Sequence, residues 1–434
     1  MDRLGKLHLE VFRLCLSIVL ALATQSALSQ YEPDGPVTAA RSKAALIYNR
    51  LTGQKIPLDS QILKDMEALI SEGKALEAAH MATEQATFYS QTLRFLGDRL
   101  STRAAIYRVP MNDLTATIIG FAKDDLDARG LLTSNSLYRF TGLVGVPNAV
   151  VNDILKSNAH YAFVDTQLAA NPNLDLRPTL TAVRQQIAND ADAAVNHPDA
   201  AGILTSRQFL SDCADAGTNR RCYEKVVKLL TCHSLEEVAN SDLPDDYIGR
   251  DVSRAPGGDP STFQNTCKSC HSNMDAQRMA FAYTEFDEGQ VKHGQINGGG
   301  LFDATTKVAV KLNRNGDGNY ITYRVLNDNW YNFAVNGSFQ SIYGWRDASG
   351  RAITQPISSS GLNAYGTMLG RSEAFSRCMT QNVFENICRR PVSASEKTGV
   401  IRSLASSWES PSQGNYKLRW LFEKISTTPE CLGQ

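Results

Sequence analysis

The segment Cys267-Lys268-Ser269-Cys270-His271 constrains this chain more than any other part of its sequence. Two thiols one helical turn apart can each add to a vinyl group of a porphyrin, and the adjacent histidine can then offer a ring nitrogen to the iron. With nine cysteines and seven histidines among 434 residues, roughly 0.003 such segments are expected by chance. The pattern predicts a covalently attached haem c held by Cys267 and Cys270, with His271 as the proximal iron ligand.

Other uses of a CxxC pair match the surrounding sequence less well. A structural zinc site needs two further Cys or His ligands at short spacing, but the nearest are His293, after the segment, and Cys232, well before it. A thioredoxin-like redox pair opens a helix after a strand, whereas residues 240–260 form a polar stretch with glycine and proline. Two structural half-cystines are the remaining alternative.

Residues 1–29 have the pattern of a secretory signal peptide. Basic residues flank the start of an apolar run, Leu14–Ala23, and the small residues Ala27 and Ser29 place the expected cleavage before Gln30. The run is ten residues long, too short to cross a bilayer of about 30 Å; an uncleaved anchor is the alternative. We therefore expect a periplasmic or secreted protein with no membrane span in the mature chain.

Cysteine content fits an exported protein with disulfides. Cleavage removes Cys15 and leaves eight of the nine cysteines, an even number, in an oxidising compartment where disulfides persist. Cys267 and Cys270 are assigned to the haem. The other six permit three disulfides with fifteen connectivities, and they are Cys213, Cys222, Cys232, Cys378, Cys388 and Cys431.

Spacing excludes some of these pairings. Cys222 and Cys232 lie ten residues apart on one predicted helix, a separation of about 15 Å at 1.5 Å per residue, which is too far for a disulfide. The same argument excludes Cys378 with Cys388. A bond between Cys213 and Cys222 is feasible across a short polar loop, and the other cysteines are expected to join the C-terminal helices to the haem segment.

Apolar residues recur at helical spacing through most of the chain, which predicts a mainly α fold. We expect a helical domain of unknown role over residues 30–204, with helices extending over 148–168 and 178–194. A cytochrome c-like helical haem domain is expected over residues 205–434. The first of these domains contains no visible chemistry, because its histidines are isolated from one another in the sequence.

A small β insertion is expected within the haem domain, at about residues 294–350. Alternating apolar residues flank the turn sequence NRNGDGN and predict a β-hairpin with arms over 308–312 and 320–325. The same turn resembles the first half of a calcium loop, but the twelfth position holds Arg324 instead of glutamate. A hairpin turn is therefore the preferred interpretation.

Residues 251–287, which contain the CxxCH segment, resemble the haem segment of the planctomycete-type cytochrome c-like proteins. In that family the CxxCH is followed by a Met-Asp pair and then by an aromatic-rich helix that ends in Phe-Asp. Met274 and Asp275 match the first pair, and Phe286 and Asp287 match the second.

A later stretch, residues 372–396, is similar to the C-terminal helical module of the same family. Cys378 and the turn Arg389–Pro391 carry this match. Arg278 and Met279 stand where the family commonly has glycine. The resemblance implies a covalently bound haem c in a helical domain, and it leaves the natural redox partner open.

The iron of an electron-transfer cytochrome usually takes a second axial ligand, Met or His, from the other side of the ring. Met368 is the candidate, because it lies in a Gly- and Ser-rich segment that is expected to be a flexible loop. Met274 and Met279 follow His271 on the same predicted helix and cannot easily reach across the ring. The alternatives are Met379, His293 or an open distal side.

Together these features predict an exported c-type cytochrome that carries one covalent haem and transfers single electrons. Its expected partner is a redox protein of the cell envelope, and we expect an electron carrier rather than a catalyst. The alternatives are a haem enzyme, a peroxidase or oxygenase with an open distal site, and a haem-free envelope binding protein held by disulfides. The balance of 44 basic and 45 acidic residues disfavours a nucleic-acid partner.

Overall fold

The computed structural model describes residues 38–147, 150, 153–215, 217–314 and 323–433. The predicted signal peptide, its cleavage junction and most of the NRNGDGN turn lie outside these ranges. Helices dominate the described residues and strands are few and short, so the predicted mainly α fold is confirmed. No helix in this part of the chain has the length and apolar character that a membrane span needs.

Capping residues define the helices of the first half. The described α-helices before residue 204 are α1 Ala39–Thr52, α2 Gln61–Ser71, α3 Ala75–Thr83, α4 Arg94–Ser101, α5 Asp113–Lys123 and α6 Ala159–Ala170. The side chain of Thr38 accepts a hydrogen bond from the Arg41 amide at the start of α1, and Gly53 ends that helix with φ 72°. Asn112 caps α5 in the same way.

The second half continues with shorter helices. They are α7 Arg207–Cys213, α8 Arg220–Leu230, α9 Pro260–Thr262, α10 Lys268–Gln277, α11 Ser338–Ile342, α12 Gly361–Gly370, α13 Glu373–Cys388, α14 Ala394–Thr398, α15 Val400–Glu409, α16 Leu418–Ser426 and α17 Pro429–Leu432. A π-helical turn, Phe263–Cys267, joins α9 to α10. Another π-helical turn, Phe88–Leu93, precedes α4. The 3-10 turns are Ala128–Leu132, Arg177–Thr179, Gly202–Thr205, Pro256–Gly258, Arg278–Phe281 and Val310–Asn313.

The strands of the described residues pair only as antiparallel two-stranded ribbons. The pairs are β1 Ser136–Phe140 with β2 Leu180–Arg184, β3 Gln186–Ala188 with β4 Ala194–Asn196, β5 Thr284–Asp287 with β6 Gln290–His293, and β7 Asn329–Asn332 with β8 Ile357–Ser360. Glu288 and Gly289, between β5 and β6, have φ 47° and 78°, as a tight hairpin turn requires.

Two helices expected in the first half are wrong in whole or in part. The stretch 178–194 contains β2 and β3, because Leu180–Arg184 pairs with the distant strand β1, and local apolar spacing does not reveal such a partner. Of the helix expected over 148–168, residue 150 is helical, residues 153–158 are a non-helical connection, and α6 begins at Ala159. Residues 148, 149, 151 and 152 of that stretch lie outside the described ranges.

The hairpin expected around NRNGDGN is also wrong in its first arm. Val310–Asn313 forms a 3-10 turn, and the side chain of Asn313 bonds both the amide and the carbonyl of Val325, at 2.9 and 2.8 Å. This side-chain pairing takes the place of a strand ladder. Among the described residues of 294–350 the strand is β7, and its partner β8 lies beyond the expected insertion.

One apolar cluster extends from Ala44 to Leu432 and includes residues of both halves. Helix α16 packs against α1 and α3, and the rings of Phe422 and Phe88 meet edge to face at 5.3 Å between centroids. Close to them, Glu423 accepts a hydrogen bond from Thr83 at 2.7 Å. Apolar packing thus crosses the expected domain boundary between residues 204 and 205. The division of the chain into two domains at this point stays a prediction.

Within the described residues, three disulfides join the six cysteines that lie outside the CxxCH segment. The pairs are Cys213–Cys222, Cys232–Cys378 and Cys388–Cys431. The first is the pairing that the spacing made feasible, across the loop before α8. The second joins the end of α8 to α13. The third joins α13 to α17. Neither of these two disulfides includes a residue of the haem segment 251–287, so the expectation that they would join the C-terminal helices to it is wrong.

Two buried histidines meet where the β3–β4 ribbon packs against the β5–β6 hairpin. The rings of His197 and His293 lie 5.3 Å apart between centroids, and each Nδ1 accepts a backbone amide hydrogen bond, from Asp199 and Gln295 respectively. Burial, together with the neighbouring His293, lowers the pKa of His197 to about 3. Burial lowers the pKa of His293 to about 4. Both rings are therefore neutral in the folded protein at neutral pH.

Removing the long-range disulfide should destabilise the protein most. Cys232 and Cys378 are separated by 146 residues, against 43 for Cys388 and Cys431. Because loop-closure entropy grows with the logarithm of loop length, Cys232→Ala with Cys378→Ala should lose about 1 kcal/mol more unfolding free energy than Cys388→Ala with Cys431→Ala. Urea unfolding without reductant measures both losses. Equal losses, or a larger loss for the shorter loop, would contradict this expectation.

Acid should destabilise the fold through His197 and His293. Unfolded histidines bind protons near pH 6.5, whereas the folded ones do so only near pH 3 and pH 4. The unfolded state therefore binds more protons below about pH 6.5, so this contribution to stability is present above that pH and is lost as the pH falls toward about 4. Replacing both residues by Gln should make the decline of unfolding free energy shallower in urea titrations across this window. A double variant with the wild-type slope would refute the assignment.

Candidate functional site

The CxxCH segment lies at the start of α10, on the surface of the molecule. The π-helical turn Phe263–Cys267 continues directly into α10, with Cys267 at the N-cap position. Residues three and four apart share a helix face, so Cys267, Cys270 and His271 lie on the same side of this helix. All three side chains are partly exposed, and neither thiol is in a disulfide. The fold thus places these three predicted site residues together.

The His271 ring is held by a carboxylate one turn further along α10. Its Nδ1 lies 3.3 Å from Oδ1 of Asp275, and the His271 side chain is 22% exposed whereas that of Asp275 is fully buried. An ionised carboxylate only accepts hydrogen bonds, so Nδ1 is the donor. In a neutral imidazole the lone pair then resides on Nε2, which is the form that binds a metal ion.

Asp275 is itself held in place by several donors. Nε and Nη2 of Arg220 donate to its two oxygens at 2.7 and 2.8 Å, and the Gly249 amide donates to Oδ2 at 2.8 Å. Burial opposes ionisation of Asp275, but Arg278, Arg220 and the His271 hydrogen bond outweigh it and hold the pKa of this carboxyl well below its usual range. The carboxylate is therefore ionised at neutral pH.

A second carboxylate and a second guanidinium complete this cluster. Asp251 accepts from Nη1 and Nη2 of Arg220 at 2.6 and 2.9 Å. Arg278 is fully buried, with Nε 3.4 Å from Oδ1 of Asp275, and its Nη1 donates to the Thr218 carbonyl at 2.6 Å. Two aspartates thus face two arginines, and the opposite charges balance next to the His271 ring.

Met368, the candidate distal ligand, lies in the helix α12 and not in a flexible loop, so the expected loop is wrong. Asp199 accepts hydrogen bonds from the amides of Leu362 and Asn363 at the start of this helix, which stabilises its first turn. The Met368 side chain is buried, and its sulfur accepts a hydrogen bond from Nδ2 of Asn332 at 3.4 Å.

Asn332 connects Met368 to the C-terminal end of α10. Its Oδ1 accepts from Gln277, the last residue of α10, at 3.4 Å. The contacts of Met368 therefore reach the C-terminal end of α10, whereas His271 is at its N-terminal end. A distal role for Met368 stays a prediction. The alternatives Met379 and His293 are also buried, and so are Met274 and Met279.

Sequence reasoning missed the residues that support His271. The spacing of His271 and Asp275 places them on one helix face, and this signal was readable in the sequence. Arg220, Gly249 and Asp251 come from two distant segments, and nothing in their sequence context indicates that they meet α10.

No protein-family model, curated protein or solved structure matches this chain. Among the described residues, no group of three or more His, Cys, Asp or Glu side chains is arranged to hold a metal ion. The groups that can carry chemistry at this site are the two thiols, the imidazole and the charged cluster behind it.

Proposed function

We propose that this protein is an exported c-type cytochrome with one covalently attached haem. Cys267 and Cys270 would form the two thioether bonds, and His271 would be the proximal iron ligand. When bound, haem c supplies one-electron redox chemistry at its iron. The expected partner is a redox protein of the cell envelope.

The observation that carries this proposal is the donor set on one face of α10. Two free thiols lie one turn apart, next to an imidazole whose Nδ1 is engaged by Asp275. This leaves Nε2 with a lone pair on a partly exposed ring. Attachment of haem c needs these three groups in this order and spacing.

The other cysteines support the same assignment. Six of them are paired in disulfides, and among the described cysteines the two free ones are Cys267 and Cys270. In an oxidising compartment, free thiols are exceptional unless they have a chemical use. Covalent attachment to a porphyrin is such a use, and the two thioether bonds need no further protein group to form the attachment.

The remaining residues of the site would orient and support the ligand. Asp275 fixes the tautomer of His271, and Arg220 fixes the carboxylate of Asp275. The balanced charges of the cluster leave no excess charge behind the ring. In this account the protein holds the imidazole rigidly, and the redox change belongs to the iron.

The proposed location is the periplasm or the exterior of the cell. The three disulfides suit an oxidising compartment. The predicted signal peptide over residues 1–29 is the second reason for this proposal, and its cleavage before Gln30 can be tested by N-terminal sequencing of the mature protein.

The packing of Met368 favours a second candidate function. Its sulfur is engaged by Asn332 in the core of the protein, so a distal ligand from this residue would require α12 to give up that contact. A haem enzyme, a peroxidase or oxygenase with an open distal site, needs no such ligand.

Covalent haem should be detected on the denatured protein. The wild-type chain, produced together with a c-type haem maturation system, is expected to retain haem stain on a denaturing gel after boiling. Cys267→Ala with Cys270→Ala should remove the stain, because both thioether bonds are lost.

A matched control separates loss of haem from loss of fold. Cys213→Ala with Cys222→Ala removes a disulfide but neither thioether, and it should retain the stain. If the wild-type protein carries no stain under these conditions, the proposed function fails.

The absorption spectrum should identify the distal ligand. An electron carrier ligated by Met368 predicts a low-spin, six-coordinate iron that becomes high-spin in Met368→Ala and stays low-spin in Met379→Ala. A wild-type spectrum that is already high-spin, and that changes on addition of cyanide, would instead support the haem enzyme.

A further inference from the structure

The buried side of His271 carries more structure than a haem tether requires. Its Nδ1 meets Asp275, and this carboxylate receives hydrogen bonds from Arg220 and from the Gly249 amide. A carboxylate that accepts from the free nitrogen of a metal-binding histidine fixes the ring orientation and raises the basicity of the ligating nitrogen. The geometry thus bears on the electronic properties of the bound iron.

The orientation of the Asp275 carboxylate is determined from two sides. Arg220 binds both oxygens in a fork, which prevents rotation of the group. The Gly249 amide approaches Oδ2 at 2.8 Å. A Cβ on Gly249 would lie 2.5 Å from Oδ1 of Asp251 and 2.6 Å from Nη2 of Arg278, so a side chain here would displace charged groups of the cluster.

Stability alone is a weak explanation for this cluster. Moving several charges out of water costs free energy that their mutual attraction only partly offsets, and apolar side chains of similar volume usually stabilise a core as well or better. Asp275 and Arg278 are nevertheless both fully buried. The Asp275 carboxylate also accepts from Nδ1 of His271, the residue predicted to bind the iron.

We propose that Asp275 is a positioning residue that makes His271 an electron-rich proximal ligand and thereby lowers the reduction potential of the haem. This inference rests on the proposed function, because it concerns the iron that His271 would bind. A more basic imidazole stabilises the ferric state over the ferrous state. Arg220 is the residue that holds Asp275 for this purpose, and Asp251 is the counter-charge on the other side of Arg220.

The experiment compares Asp275→Asn with Asp251→Asn in the haem-loaded protein. Both variants remove a carboxylate bound to Arg220, but only the first removes the partner of His271. Spectroelectrochemical titration should show that Asp275→Asn raises the reduction potential by about 59 mV, which corresponds to a tenfold loss in the preference of His271 for ferric iron. Asp251→Asn should change the reduction potential much less, because the Asp251 charge is farther from His271 and acts on the iron only through its electrostatic field.

Two further variants guard against a purely structural effect. Asp275→Glu retains a carboxylate and should stay closer to the wild-type potential than Asp275→Asn. If Asp275→Asn does not fold, the double variant Asp275→Asn with Arg278→Gln removes one charge of each sign and keeps the cluster balanced; its potential should also rise.

The outcomes distinguish the two proposals. Absence of haem stain from the wild-type protein overturns the proposed function itself. Haem stain in every variant, with equal potentials for Asp275→Asn and Asp251→Asn or no rise in either, overturns the positioning role and leaves the cytochrome proposal intact.

Discussion

The guanidinium of Arg220 lies between the carboxylates of Asp275 and Asp251 and donates to both. The arrangement of the candidate site depends on this contact, because without Arg220 both carboxylates would lose the cation that they share. Asp275 would then keep Arg278 and the Gly249 amide besides His271. Burial opposes the charge on Arg220, yet hydrogen bonds to the two aspartates raise its pKa above the usual value. Burial lowers the pKa of Arg278, and the charges of Asp275 and Asp251 act against this effect. The carboxylate behind His271 keeps a defined orientation, because Arg220 binds both of its oxygens.

The position of Arg220 follows from the turn in front of α8. Asn219 adopts a left-handed conformation with φ 60°, and its side chain donates to the carbonyls of Phe281 and Thr284 at 2.8 and 3.2 Å. Arg278 donates to the Thr218 carbonyl in the same turn. The start of α8 is thus fastened to the end of the motif helix, and the disulfide at Cys222 holds the same turn from the other side. The support of the imidazole therefore comes from the start of α8 and from the irregular segment that carries Gly249 and Asp251.

Local pattern predicted those parts of the molecule that depend on neighbours in the sequence. The mainly α fold, the Cys213–Cys222 disulfide and the common face of Cys267, Cys270 and His271 all follow from spacing along a helix or a short loop. The errors have a shared cause. Leu180–Arg184 is a strand because β1 supplies its hydrogen bonds from far along the chain, and the expected arm at Val310–Asn313 is replaced by the side-chain pairing of Asn313 with Val325. Contacts between distant segments outweigh local propensity in both cases.

The amino-acid sequence is enough to identify the groups proposed to bind a haem and their spacing: two thiols and an imidazole on one helix, with an acidic residue one turn later. These groups share a single helical face, so no tertiary information is needed to find them. What lies behind that face depends on the tertiary structure. Arg220, Gly249 and Asp251 reach Asp275 from other segments, and Met368 packs in a helix next to Asn332 instead of lying in a loop. The physical reason is that buried charges and sulfur atoms find their partners through folding of the whole chain, and their sequence spacing carries no record of those contacts.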